Sequence, residues 1–196
     1  TPLGQALGGG AALIVGLGKV GKCLARKLVA LGMKVKAIRR TADIETEAAI
    51  GLLGAGDMSS LYEMASSADF VISTITLTDQ TTGLFNRDLF RVMKPSAYVI
   101  NVSRGAVIDE ADLVKALQAG EIAGAGLDVY EREPLDRGSP LLTLPNVVAT
   151  PHVAGVTGQN YDSTAGILSG NILRVKDGKL PIYCVNEAEL KIQKNF

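Results

Sequence analysis

The segment Ala12-Leu13-Ile14-Val15-Gly16-Leu17-Gly18-Lys19-Val20-Gly21 constrains the fold more than any other part of the chain. An apolar run leads into G-x-G-x-x-G, and a helical pattern follows in Val20, Leu24, Leu28 and Leu31. In such a strand–turn–helix, Gly16 permits the tight turn, Gly18 lets the backbone approach a pyrophosphate, and Gly21 lets the helix pack closely on the strand. The spacing alone is a weak signal in a chain with 22 glycines. Its position between a strand and an amphipathic helix, with a second strand at Lys34-Val35-Lys36-Ala37-Ile38, makes it a strong one. Unpaired N–H groups and the dipole at the helix start favour an anion. The unit therefore predicts dinucleotide binding, with Gly16, Gly18, Lys19, Val20 and Gly21 as contacts.

Strands alternate with helices along the rest of the chain. After Ile38 come a weak helical segment around Ala48 to Leu53, a short helix over Ser60 to Ser66, and a strand at Phe70-Val71-Ile72-Ser73. Thr74 to Thr82 is a hydroxyl-rich loop at that strand's carboxyl end. Asn86 to Met93 reads as a helix stopped by Pro95, and Tyr98 to Val102 as a strand. Asp109 caps a helix that runs through Leu113 and Leu117 and ends at Gly120. A last helix is signalled by Tyr161, Ala165, Leu168, Ile172 and Val175, ending at Gly178. This βαβ alternation predicts the α/β class: a doubly wound parallel sheet of Rossmann type. The expected organisation is a linker or hinge over 1–10, a dinucleotide-binding domain over 11–178 and a tail over 179–196.

Candidate chemistry sits where strands end, as ligand sites in open α/β sheets do. The run Tyr98 to Val102 closes in Ser103-Arg104-Gly105, so Arg104 is placed to grip a small anion through its planar fork of donors. Two further segments, Gly126 to Pro134 and Ala149 to Gly155, each have strand character ending in polar residues at a proline-marked loop. His152 is the chain's one histidine, which removes any competitor for proton transfer near neutral pH. Hydride transfer to a carbonyl needs a partner proton donor, and imidazolium supplies it.

At this point the chain resembles the D-isomer-specific 2-hydroxyacid dehydrogenases, through GLGKVG, VINVSRGAVIDE, GAGLDVYEREP and TPHVAG, in that family's order. The resemblance implies a hydride exchange between a nicotinamide cofactor and a small 2-hydroxy or 2-keto acid. It assigns the substrate carboxylate and carbonyl to Arg104, the acid–base role to His152, its carboxylate partner to Glu133 and the nicotinamide carboxamide to Asp128. Thr76, Thr78, Val102, Ser103, Arg104, His152 and Gly155 fall at its cofactor contacts. Glu131 rivals Glu133, but the family's acid directly precedes the proline, which selects Glu133. An acid there, rather than a glutamine, argues against the formate dehydrogenase branch. A carboxylate beside the imidazole favours its charged form, keeping a proton available for reduction.

The cofactor expected is NADP in preference to NAD. In NAD-binding members an acid about twenty residues beyond the glycines accepts hydrogen bonds from the adenosine ribose. Aligned from Gly16, that position is Arg39, followed by Arg40 and Thr41, and guanidinium groups suit a 2′-phosphate. The alternative is that these arginines are solvated and that Asp43 or Glu45 supplies the acid.

Bulk composition narrows the partners. The 20 basic and 20 acidic residues cancel, giving no electrostatic footprint for nucleic acid or anionic membrane. Cys23 and Cys184 make neither a disulfide framework nor a metal-ligand pattern, and read as small apolar fillers. No metal is expected. The chain reads as soluble and intracellular, in the cytoplasm or an organelle lumen, and as a homodimer through the dinucleotide-binding domain. Only Thr1 to Gly10 precede the first strand, so it also reads as the cofactor half of a two-domain enzyme, a fragment whose tail Leu180 to Asn186 returns to a substrate domain. The competing reading is a dinucleotide-sensing interaction module without turnover, of the corepressor kind. The complete Arg104, Glu133 and His152 set favours the enzyme.

Overall fold

In the computed structural model, which describes residues 6–187, the chain divides into two compact units after His152. The first is built on one parallel sheet: β1 (Ala11–Val15), β2 (Lys34–Ile38), β3 (Gly54–Gly56), β4 (Phe70–Ser73), β5 (Tyr98–Asn101), β6 (Gly124–Leu127) and β7 (Val147–Ala149). Their order is β3-β2-β1-β4-β5-β6-β7. The chain winds outward one way from β1 through β3, then returns to start the other half at β4. Carboxyl ends of β1 and β4 therefore border the crevice where ligands bind in this architecture. The register sharpens the point. Ile38, Val15, Ser73, Asn101, Leu127 and Ala149 pair across the sheet in one row. Gly16, Arg39, Thr74, Val102, Asp128 and Thr150 each follow that row by one residue, so the candidate segments emerge at one level.

Helices cover both faces because the strands are apolar on both. Leu13, Val15, Val71, Val99, Ala125 and Leu127 face one core, shared with α3 (Leu61–Ser66), α4 (Arg87–Val92) and α5 (Glu110–Ala119). Ala12, Ile14, Val35, Ala37 and Ile72 face another, shared with α1 (Lys19–Ala30) and α2 (Ile44–Ile50). The caps match the sequence signals. Asp109 accepts the Asp112 amide and Gly120 closes α5 in the left-handed conformation; the Asn86 side chain accepts the Asp88 and Leu89 amides at α4. The second unit holds α6 (Gly158–Lys176), whose N-cap Thr157 accepts the Asn160 amide. None of its residues is buried.

Four local expectations need correction. The weak helix placed at Ala48 to Leu53 lies earlier, over Ile44–Ile50, because Asp43 caps its start and Gly51 turns left-handed at its end. The short strand β3 reads Gly-Ala-Gly and carries no apolar period to announce it. Val20 and Leu31 are exposed, the buried face of α1 being Gly21 and Ala25. Cys23 is exposed rather than a filler.

Candidate active site

Each glycine of the G-x-G-x-x-G turn answers to a distinct constraint. Gly16 has φ +102°, and a Cβ there would lie 2.7 Å from the Ile75 backbone. A Cβ on Gly21 would lie 2.2 Å from the Gly16 carbonyl oxygen, so helix and strand approach as closely as backbone allows. Around Gly18 the space is open: a Cβ would meet nothing within 4 Å. Gly18 is also the N-cap of the twelve-residue α1 and offers no side chain to occupy its leading N–H groups. Close packing below, with an open and uncapped helix start above, fits a pyrophosphate. The Thr74 hydroxyl donates to the Gly16 carbonyl at 2.6 Å and ties the β4 loop to this turn.

A cavity of about 450 Å³ adjoins the turn, lined by Val20, Thr74, Ile75, Thr76, Leu77, Val102, Ser103 and Arg104. Exposure of Val20 is thus explained by its place in the groove wall. The Thr74 to Thr82 loop is organised by buried Thr81, whose hydroxyl accepts from the Thr78 amide at 2.7 Å and donates to the Thr76 carbonyl at 2.8 Å. Thr81 thus ties Thr76, in the groove wall, to Thr78, which lies outside the lining.

At the carboxyl end of β2, Arg39 is half-buried and its Nε and Nη2 both donate to the Glu47 carboxylate, the second at 3.3 Å. This pairing raises the Arg39 pKa and holds Glu47 below the usual carboxylate range. Asp43 pairs with Lys22 at 2.7 Å and caps α2, which brings it down to about 2. Arg40 and Thr41 are exposed, and Arg40 has no ion pair among the described residues. Arg39 is not the free guanidinium that the sequence suggested. Its Nη1 edge remains for a ligand, but the other edge is committed to Glu47.

Beyond β5, a buried polar network fixes the approach to Arg104. The Asn101 side-chain oxygen accepts from the Ser103 amide at 3.0 Å and hydroxyl at 2.8 Å, while its amide donates to the Arg104 carbonyl at 3.0 Å. Ser73 Oγ lies 2.8 Å from Ser103 Oγ. Every member is partnered, so burial costs little and the loop is rigid. Arg104 itself is exposed, with Nη1 donating to the Ser103 carbonyl at 2.7 Å. Gly105 lies against Tyr130, where an added Cβ would come within 1.8 Å of that residue's carbonyl.

The β6 and β7 ends supply an acid–base pair. His152 Nδ1 stands 2.8 Å from Glu133 Oε2, and Glu133 Oε1 accepts the Tyr130 amide at 3.1 Å. The imidazole bond first, then the amide, hold the Glu133 carboxyl below the ordinary glutamate range. With Nδ1 bonded to the carboxylate, Nε2 is the ring nitrogen left to exchange a proton. His152 has φ +55°, a sparsely populated conformation for a non-glycine residue and one that clusters at functional sites. Glu131 is engaged elsewhere: it accepts the Glu110 amide at 2.9 Å and its own amide donates to Glu110 at 2.5 Å. Of the two glutamates, Glu133 is the one that reaches His152. Asp128 is buried and accepts from the Thr150 hydroxyl at 2.6 Å. Gly155 belongs to the second unit, where its carbonyl accepts from the Asn160 side chain at 2.7 Å.

Within the first unit the structure brings the glycine turn, Thr76, Val102, Ser103 and Arg104 to one groove, and joins Glu133 to His152. Thr74, Thr81, Asn101, Ser73 and Tyr130 were not singled out from sequence. Their roles depend on contacts up to 58 residues away in the chain, such as Thr74 with Gly16.

A nucleotide-binding α/β domain bearing a carboxylate–histidine pair at its strand ends is the class that fold and site define. Residues 1–154 match the D-isomer specific 2-hydroxyacid dehydrogenase NAD binding domain, and the chain belongs to that family. It is 36% identical over 192 residues to a glyoxylate reductase of Pyrococcus furiosus, covering 98% of this chain and 56% of the relative. The holo form of Rhodotorula graminis D-mandelate dehydrogenase superposes with a TM-score of 0.79 at 35% identity, over 87% of this chain and 49% of that one. An NADPH-dependent glyoxylate/hydroxypyruvate reductase of Sinorhizobium meliloti, in complex with NADP and sulfate, superposes with a TM-score of 0.77 at 31% identity, over 91% and 56%. The chain thus spans about half the length of the relatives it matches.

Proposed function

We propose that this chain is the cofactor-binding part of an NAD(P)-dependent oxidoreductase that interconverts a small 2-keto acid and its D-2-hydroxy acid. The observation that carries the reading is the Glu133–His152 pair, 2.8 Å apart, at the same sheet edge as the glycine turn and Arg104. The nicotinamide, when bound, supplies or accepts the hydride. Gly18 and the start of α1 would hold its pyrophosphate, Thr76, Val102 and Ser103 would line its groove, and Thr78 is assigned to it from the adjoining loop. Arg104 grips the substrate carboxylate and polarises the carbonyl against charge developing on its oxygen. His152 Nε2 gives the proton to that oxygen in reduction and takes it back in oxidation, with Glu133 fixing the ring and offsetting its charge. Buried Asp128 is the acceptor assigned to the nicotinamide carboxamide.

Glyoxylate and hydroxypyruvate, named for the relatives, are the first substrates to try. Measured by loss of reduced cofactor, His152→Ala lowers turnover about a hundredfold or more, the usual scale for a general acid–base group. Near wild-type turnover in that variant overturns the mechanism. NADP is the preferred cofactor in this reading, with Arg40, Thr41 and the open edge of Arg39 on the 2′-phosphate. Residues 11–178 serve as the dinucleotide-binding part and 179–196 as a tail toward a substrate domain. Assembly as a homodimer belongs to the same reading, and sedimentation equilibrium measures it. Among the described residues no helix is long and apolar enough to cross a membrane.

A further inference from the structure

We infer that the Tyr130 hydroxyl is a positioning group that sets the separation and tautomer of the Glu133–His152 pair, an inference that rests on the acid–base reading of that pair. Tyr130 is only 6% exposed, yet its hydroxyl is fully used. It donates to the Thr150 carbonyl at 2.9 Å and lies 3.2 Å from the Leu127 carbonyl, bridging the ends of β6 and β7. The same Thr150 carbonyl accepts the His152 amide at 3.1 Å. The Tyr130 amide holds Glu133 Oε1 at 3.1 Å. One residue therefore grips the backbone that carries the histidine through its side chain, and the glutamate through its main chain.

Neither catalytic side chain is fixed by burial of its own. The side chains of His152 and Glu133 are 49% and 37% exposed, and they come from loops 19 residues apart. Beneath them, Gly105 leaves no room for Tyr130 to retreat, since even a Cβ would lie 1.8 Å from its carbonyl. Burial raises the phenol pKa above its ordinary value, so the hydroxyl stays a donor at every pH at which the pair works. A packed aromatic ring alone would fill the same space. The hydroxyl adds a further tie between β6 and β7 at the level of the histidine, beside the Thr150 amide on the Leu127 carbonyl at 2.9 Å and the Thr150 hydroxyl on Asp128 at 2.6 Å.

The spectroscopic test uses this 196-residue chain, untagged, in which one histidine gives a single imidazole signal. In the wild-type protein the ring ¹⁵N spectrum should show one tautomer, with the proton on Nδ1 toward Glu133 Oε2, which lies 2.8 Å away. Tyr130→Phe keeps the ring and removes the bridge. It should give a mixed-tautomer spectrum, lower kcat about three- to tenfold, as loss of one neutral hydrogen bond allows, and leave NADPH affinity within twofold. Replacing Tyr130 with 4-aminophenylalanine, which keeps a donor, should restore the wild-type spectrum. A Phe variant with wild-type spectrum and kcat overturns the inference, as does failure of the donor-bearing variant to restore them. A slowly exchanging Tyr130 hydroxyl proton reads the same bridge without substitution, and a fast-exchanging one also overturns it. If no 2-keto acid is turned over but the spectrum still responds to Tyr130→Phe, the acid–base reading fails and the positioning role stands.

Discussion

Two glycines three residues apart, Gly18 and Gly21, should fail in opposite ways when each is changed to alanine. At Gly21 the new Cβ would sit 2.2 Å from the Gly16 carbonyl oxygen and 2.9 Å from the Thr74 hydroxyl. Carbon and oxygen prefer a separation about 1 Å longer than the first of these, so α1 must lift from the sheet. Overpacking of this kind costs roughly 1–3 kcal/mol, and the displaced Thr74 to Gly16 hydrogen bond about 1 kcal/mol more. Alanine returns about 1 kcal/mol through helix propensity, leaving a net loss of about 1–3 kcal/mol. For a chain of this size that lowers Tm by roughly 3–10 °C. Gly18 has φ −75° and ψ −163°, which alanine adopts without strain, and its Cβ would meet nothing. Gly18→Ala therefore leaves Tm nearly unchanged, the smaller unfolded-state entropy being offset by alanine's poorer N-capping, while the methyl group occupies the approach of the pyrophosphate. Cofactor affinity then falls by about tenfold or more, which is about 1.4 kcal/mol. Circular dichroism melts and fluorescence titration with NADPH and NADH read the two effects separately. Unchanged affinity in Gly18→Ala, or an unchanged Tm in Gly21→Ala, would refute this division of labour.

Two further outcomes follow from the charges at the end of β2. Arg40→Ala should weaken NADPH binding roughly three- to thirtyfold, one exposed charge-assisted bond's share, and spare NADH; Arg39→Asp should reverse the preference, and equal loss for both cofactors counts against NADP recognition here. Asp43, brought down to about 2 chiefly by its bond with Lys22, has a folded pKa below its ordinary value, so its stabilisation of α2 is complete above that value and lost as pH falls toward about 2; the Thr46 amide resonance should report that loss, and Lys22→Ala should move it to higher pH.

Most of the sheet was legible because its strands are short apolar runs bounded by punctuating residues. The spans Lys34–Ile38 and Phe70–Ser73 coincide with the runs themselves. Asp109 and Gly120 marked α5 because capping chemistry is local and leaves its donors and acceptors in the sequence. β3 had no such mark. Gly-Ala-Gly becomes a strand because β2 offers it a free edge, with Lys36, Ala37 and Ile38 as partners. Val20 fits the helical period yet lies exposed in the groove wall, because such a wall needs an apolar residue as much as a core does.

The same distinction governs the site. Arg104 and His152 were candidates because each lies just past a strand end, and parallel strands deliver their carboxyl ends to one edge whatever joins them; Glu133 came from the resemblance alone. Arg39 also follows a strand end, and the position was read correctly. Its availability was not, because availability depends on what else occupies the neighbourhood. Glu47 comes eight residues later, within the first turn of a helix whose start had been misplaced. With α2 beginning at Ile44, Glu47 comes round to the Arg39 guanidinium and its carboxylate also accepts the Asp43 amide at 3.2 Å. A small error in one helix boundary thus conceals which cation is committed and which is free. In the proposed reading, Arg40, next in the chain and exposed, is the side chain with most to offer a 2′-phosphate, because Arg39 is committed to Glu47.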